Sequence, residues 1–196
     1  MVAPARRAAL HNGDVDSLRG QLLLAHPGLL DPNFSRTVVL MVEHAEEGAM
    51  GLVLNRPSMV VALKAAPDLE PLVDPEDLVY VGGPVAPEGV MVLAEFDDPE
   101  EAATILAGDL GLVRADADFA TSAAATRRAR VFAGHSGWAA GQLEAELEGE
   151  GWIVEEHPPI EELLTDEPET LWNRVLERKG GQYALLARMP VDPSVN

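Results

Sequence analysis

Thr37-Val38-Val39-Leu40-Met41-Val42, then Glu46-Glu47-Gly48, then Gly51-Leu52-Val53-Leu54, is the stretch that decides the fold. A continuous apolar and β-branched run of strand length, without polar alternation, reads as a strand buried on both faces. The short polar loop with glycine sends the chain back into a second apolar run, which is a hairpin signature. A hairpin so early in the chain argues for α+β with a mixed sheet and against a doubly wound parallel sheet.

Working outward, Leu22–Ala25 reads as a short buried strand, and the segments around Pro27 and Pro32 read as loop. Asn55-Arg56-Pro57 ends the hairpin, and Ser58 is expected to cap a short helix over Met59–Ala65 that stops at Pro67. Strands are expected at Leu78–Val81 and Val90–Phe96. Asp97-Asp98-Pro99 reads as a helix start, with Thr104–Leu106 equally readable as strand. Then follow a strand at Arg130–Ala133, a turn at Gly134–Gly137 and a helix over Ala139–Glu148. Trp152–Val154 is a strand, and Pro158–Glu167 an acidic loop with a helical turn. Pro168–Lys179 is an amphipathic helix, and Tyr183–Met189 is strand or helix. Residues 1–16 and 190–196 read as tails, leaving 17–196 as one domain.

Composition narrows the function. The chain has 196 residues, no cysteine and a net charge of −19. Zero cysteine excludes disulfides, thiolate metal sites and cysteine nucleophiles. The charge argues against coating a duplex, because phosphate contacts need Lys and Arg. Only the cluster of Arg127, Arg128 and Arg130 favours DNA binding. No stretch reads as a leader or a bilayer span, so the expected location is cytoplasmic. Between Arg130 and Arg174 lie eleven Asp/Glu and no Lys or Arg. That block reads as solvated helix faces and loops, or as a docking surface for a basic partner, or as a weak divalent-ion site.

Three groups of residues could carry chemistry. Gly134-His135-Ser136-Gly137 running into a helix resembles a nucleophile elbow with Ser136 at its apex, although that pattern wants glycine where Trp138 stands. Read as a glycine turn at a helix N-terminus, the same residues with Gln142 form a candidate anion or ligand site. Read structurally, the glycines make a tight turn, Ser136 caps the helix and Trp138 fills the core. The second group is Gly82-Gly83-Pro84-Val85 after a strand, and the third is Asp31-Pro32-Asn33-Phe34 with Asn55-Arg56-Pro57; of these Asn55, Arg56, Gly82, Gly83 and Pro84 are candidate pocket-lining residues, or else turn-builders. The histidines form no ligand set, and no metal or cofactor is expected. Trp138, Trp152 and Trp172 read as core residues rather than a stacking platform.

These segments, taken in order, resemble the bacterial YqgE/AlgH family. The resemblance is carried by Gly20–Ser58, by Val81-Gly82-Gly83-Pro84-Val85, by Phe132–Leu147, by Leu171-Trp172 and by the terminal Asp192–Asn196. It implies a mixed sheet with flanking helices in a layered α/β arrangement, plus a smaller α/β lobe, in a small cytoplasmic protein. The family carries a regulatory, sometimes transcriptional, label and brings no catalytic residues. His135 stands where the family has its usual aromatic, and Ser136 where it has its usual small residue, so a hydroxyl there is not part of the pattern. The leading expectation is a non-enzymatic regulatory or interaction protein that recognises a small ligand or a protein partner. The alternatives are a DNA-binding transcriptional regulator and a serine hydrolase using Ser136.

Overall fold

The structure, a computed structural model, describes residues 17–189; both expected tails, 1–16 and 190–196, lie outside them. The hairpin is present as read: β2 (Val38–Ala45) turns into β3 (Gly48–Val53), with Val39 opposite Val53. Before it, β1 (Leu22–Ala25) pairs β2 on one side and the late strand β10 (Trp152–Glu155) on the other. After it come β4 (Pro57–Val61) and α1 (Ala62–Ala65), then β5 (Leu78–Val81), β6 (Val85–Phe96), β7 (Thr104–Ala107) and β8 (Leu110–Leu112). Helix α2 (Phe119–Ala124) leads into β9 (Thr126–Ala139), and α3 (Gln142–Glu148) precedes β10. Helices α4 (Ile160–Leu163), α5 (Leu171–Lys179) and α6 (Gly181–Leu186) complete the chain.

The strand order is β10-β1-β2-β3-β9-β6-β8-β7, with β5 branching off β9 and β4 pairing β5. All pairings are antiparallel except β5 with β9, so the sheet is mixed and the class is α+β. The 14-residue β9 is its spine. Its first part pairs β6 and β5, and its last part pairs β3.

Burial explains the uninterrupted apolar runs. Leu22, Leu24, Val38 and Leu40 face one cluster with Trp172, Val175 and Leu176 of α5. Leu23, Ala25, Val39 and Met41 face the other, with Trp138, Trp152 and Leu143 of α3. A strand covered on both sides has no polar side to show. All three tryptophans are buried, as expected. The carboxylate of Glu146 accepts from the indole N–H of both Trp138 (2.9 Å) and Trp152 (2.8 Å).

Several boundaries differ from the sequence reading. Met59–Val61 is edge strand rather than helix: Pro57 and β-branched Val61 pair with Tyr80 and Leu78 of β5, and the Ser58 hydroxyl accepts Val60 N–H instead of capping a helix. Asp98-Pro99 starts only one 3-10 turn, which ends before β7. The expected turn at Gly134–Gly137 does not exist. Those residues are strand, and the chain turns at Ala140–Gly141, so Ser136 caps no helix.

Part of the acid-rich block is spent internally. Glu144 takes a hydrogen bond from His44 (2.9 Å), Asp166 pairs Arg128, and Glu155 and Glu162 share Arg178. Burial alone would raise Glu155, but Arg178 and Lys179 outweigh it and hold the carboxyl below its ordinary value. Glu144 is also held low, first by a backbone N–H and then by His44. A depressed folded-state pKa contributes stability above the unfolded value, and that contribution is lost as pH falls through the folded one. Stability is therefore expected to fall below about pH 4.3, the ordinary glutamate value. Arg178→Met should shift the acid-unfolding midpoint upward, as circular dichroism during acid titration would show.

Candidate functional site

The glycines singled out by sequence meet one another. At the end of β5, Gly82 donates its N–H to Ala133 O (2.9 Å), and its carbonyl accepts from Val53 N–H (2.9 Å). β3 and β5 thus abut along one side of β9, where that strand changes partner. The backbones pass so closely that a Cβ on Gly82 would lie 2.3 Å from Gly134 O. A Cβ on Gly83 would lie 2.3 Å from Ser136 N, and one on Gly134 2.6 Å from Gly83 O. Gly134 also sits at φ +67, where L side chains are strained. Glycine inside a strand marks close backbone approach, and here two such segments make one joint.

Ser136 is fully buried in this joint, and its hydroxyl donates to Gly82 O at 3.3 Å. A nucleophile elbow needs an exposed hydroxyl on a strand-to-helix turn; neither the turn nor the exposure is present. His135, half-buried, sits opposite Val85 of β6. Gly137 is opposite Met50, on exposed strand. Gln142 opens α3, accepts Ala139 N–H (3.0 Å) and donates to Glu146 (2.9 Å), which fixes the real strand-to-helix turn. The geometry behind the helix-dipole anion site is therefore absent, since Gly134–Gly137 does not adjoin the helix. Ser136→Ala should cost no more than about 0.5–1.5 kcal/mol, the worth of one ordinary hydrogen bond. Urea unfolding with an unchanged slope would verify it.

Asn55 is a brace: its side chain accepts Val38 N–H (2.9 Å) and donates to Arg36 O (2.9 Å). Arg56 donates to Ser35 O (2.7 Å). Arg56, Gly83 and Pro84 line one cleft of about 250 Å³ together with Pro57 and Val81, whereas Asn55 and Gly82 do not.

Sequence reading missed the surface beside the joint. On β5, β9 and β6 the row Val79, Val131, Val92 is buried under Ala62, Leu69 and Leu72. Two residues further along each strand stand Val81, Ala133 and Val90, side by side in register. Among the described residues this row is only partly covered: Ala133 is half-buried against the same cluster, but Val81 is 47% exposed and Val90 52%. Val85 and, on edge strand β4, Met59 and Val60 are exposed as well. Val81 borders the 250 Å³ cleft, and Val90 borders a mainly apolar one of about 480 Å³ with Leu69, Leu112 and Phe119.

The arginine cluster is splayed. Arg127 turns to Glu95, Asp97 and Asp109 at 2.8–2.9 Å, while Arg128 and Arg130 reach the 164–166 segment. Among the described residues no group of three or more His, Asp or Glu is placed to hold a metal, and no helix is long and apolar enough to cross a membrane.

These features define an α+β protein organised by a buried glycine joint in a mixed sheet. Residues 22–184 match the AlgH-like family model, and the chain belongs to that family, the YqgE/AlgH family. It is 41% identical over 189 residues to the UPF0301 protein SCO2948 of Streptomyces coelicolor, covering 93% of this chain and 97% of that one. The UPF0301 protein Rv0038 of Mycobacterium tuberculosis is 40% identical over 182 residues, 90% of each chain. The crystal structure of DIP2367 from Corynebacterium diphtheriae superposes with a TM-score of 0.80 at 26% identity, over 91% of this chain and 95% of that one. The solution structure of the Pseudomonas aeruginosa AlgH protein gives 0.68 at 32% identity, over 92% and 98%.

Proposed function

We propose that this chain is a cytoplasmic, non-enzymatic interaction protein that docks a basic protein partner on the Val81–Ala133–Val90 row. The observation that carries the reading is the loss of cover from one row of the sheet to the next. One apolar row of the sheet is buried, while in the next Val81 and Val90 stand about half exposed on either side of half-buried Ala133, each bordering a cleft. An exposed apolar patch of this kind is a mark of an interaction site. The net charge of −19 favours a partner ringed by Lys and Arg and opposes a second copy of this chain. The same charge opposes DNA, and Arg127, the first member of the arginine cluster, already faces three carboxylates. The helices over two faces of the sheet support a layered arrangement, with the Ala62–Leu72 region as a smaller lobe.

The test is site-specific photo-crosslinking from position 85 in cells, followed by reconstitution of the captured pair. The expected partner has a basic rim. Its complex with the native chain should weaken with added salt and be lost with Val81→Asp or Val90→Asp, variants that keep the native circular dichroism. A reconstituted complex indifferent to both substitutions, or a crosslink only to a second copy, would refute the reading.

A further inference from the structure

A second feature lies on the opposite face of β9 from that row. Tyr80 and Phe132 are register partners and belong to the main core cluster, and Arg130 and Arg128 follow Phe132 at two-residue steps on the same face. Ahead of its pairing with β5 at Phe132, β9 pairs β6 on one side, and among the described residues no strand pairs Arg128 or Arg130 on the other. A polar cavity of about 550 Å³ opens there, bordered by Tyr80, Arg128, Arg130, Asp74, Asp77 and Asp166 among others.

Arg130 is the unusual group. Its guanidinium lies 4.4 Å over the Tyr80 ring and donates from Nη2 to Thr165 O (2.7 Å). Nη1 is buried without an acceptor, and no carboxylate among the described residues bonds this arginine. A guanidinium cannot shed its proton to escape burial. A sequestered charge calls for a counter-charge, and an unmet buried N–H costs about 1–3 kcal/mol. Burial indeed lowers the Arg130 pKa from its ordinary value. Arg128 beside it donates to Leu164 O (2.6 Å), and its one ion pair, with Asp166, is weak and readily exchanged because Asp166 is 87% exposed. The cavity is also bordered by acid: Asp77 accepts the Asp74 N–H through one carboxylate oxygen only (2.9 Å).

We propose that this cavity binds a small zwitterion, its acidic group held by Arg128 and Arg130 and its ammonium group by Asp77. Either pole alone would meet one matching wall and one repelling wall. A carboxylate and a phosphate share the required chemistry, so one zwitterion of each kind serves as a probe.

The test is calorimetric titration of the full chain with phosphoethanolamine and with β-alanine, beside inorganic phosphate and ethanolamine as single-pole controls. At least one zwitterion should bind saturably with one-to-one stoichiometry and more tightly than either control. Arg130→Met and Arg128→Gln should each weaken it about tenfold or more, equivalent to roughly 1.4 kcal/mol. Asp77→Asn should weaken the zwitterion and bind phosphate no less tightly than the native chain, because the wall that repels a lone anion loses its charge. Arg128 is 42% exposed, so its variant stays folded even if Arg130→Met does not. Three results would each overturn the proposal: no binding by either zwitterion, binding as tight by phosphate alone, or binding that survives substitution of Arg128 and Asp77. Docking on the valine row is unaffected by any of these outcomes, because the row lies on the other face of β9.

Discussion

Gly82→Ala is expected to leave the chain largely unfolded. The added methyl would sit 2.3 Å from Gly134 O and 3.0 Å from the Leu52 side chain. The leucine can shift, but the carbonyl belongs to the central strand and cannot move without breaking the β5–β9 pairing. Gly82 also spends both of its backbone groups there, one on Ala133 and one on Val53. Overpacking of a rigid backbone contact, with loss of buried hydrogen bonds, belongs to the small class of substitutions costing more than about 4 kcal/mol. Against a total of about 5–15 kcal/mol, that is a large share of the stability. Gly141→Ala is the control. It has φ +74, but a methyl added there would meet nothing within 4 Å, so its only cost is conformational strain. That strain is about 1–2 kcal/mol. Urea midpoints of the two variants should therefore differ widely although both replace glycine by alanine.

The second large effect is expected at Trp172. It is 1% exposed and joins α5 to the face of the sheet formed by β1 and β2. Its indole N–H donates to Ala25 O at 2.9 Å, and the Arg36 guanidinium lies 4.7 Å from the ring centroid. Trp172→Ala should cost about 3–5 kcal/mol, the transfer energy of the ring plus the cavity left behind. Trp172→Phe keeps most of the apolar volume but orphans the Ala25 carbonyl, and should cost about 1–3 kcal/mol. Thermal unfolding should rank native above Trp172→Phe above Trp172→Ala. Equal losses for the two variants would mean that the hydrogen bond, not the packing, holds α5.

Much of this architecture is legible in the sequence because burial writes itself into hydrophobic pattern. Leu22–Ala25 and Val38–Val42 lack a polar face because clusters lie on both sides of them. The α5 helix shows its stripe of Leu171, Trp172, Val175 and Leu176, all buried. Gly134–Gly137 reads as a turn, wrongly, because glycine serves tight turns and close approaches alike. What separates them is a second backbone, that of Gly82-Gly83, about fifty residues earlier. The valine row is invisible in the sequence for a related reason. Val79 and Val81 have the same side chain on the same strand face; only the reach of the Ala62–Leu72 segment decides that one is covered and the other half exposed. Arg128 and Arg130 stand out as charge, but their separation from Arg127 follows from strand alternation once β9 is known to begin at Thr126.

The two glycine motifs form one buried structural joint. Amide hydrogen exchange at Gly82 tests this most directly. Its N–H is bonded to Ala133 O inside the sheet, so it should exchange only on global unfolding, as slowly as the core amides of β1 and β2. Exchange at Gly82 as fast as in the exposed Ala86–Gly89 segment would contradict the account.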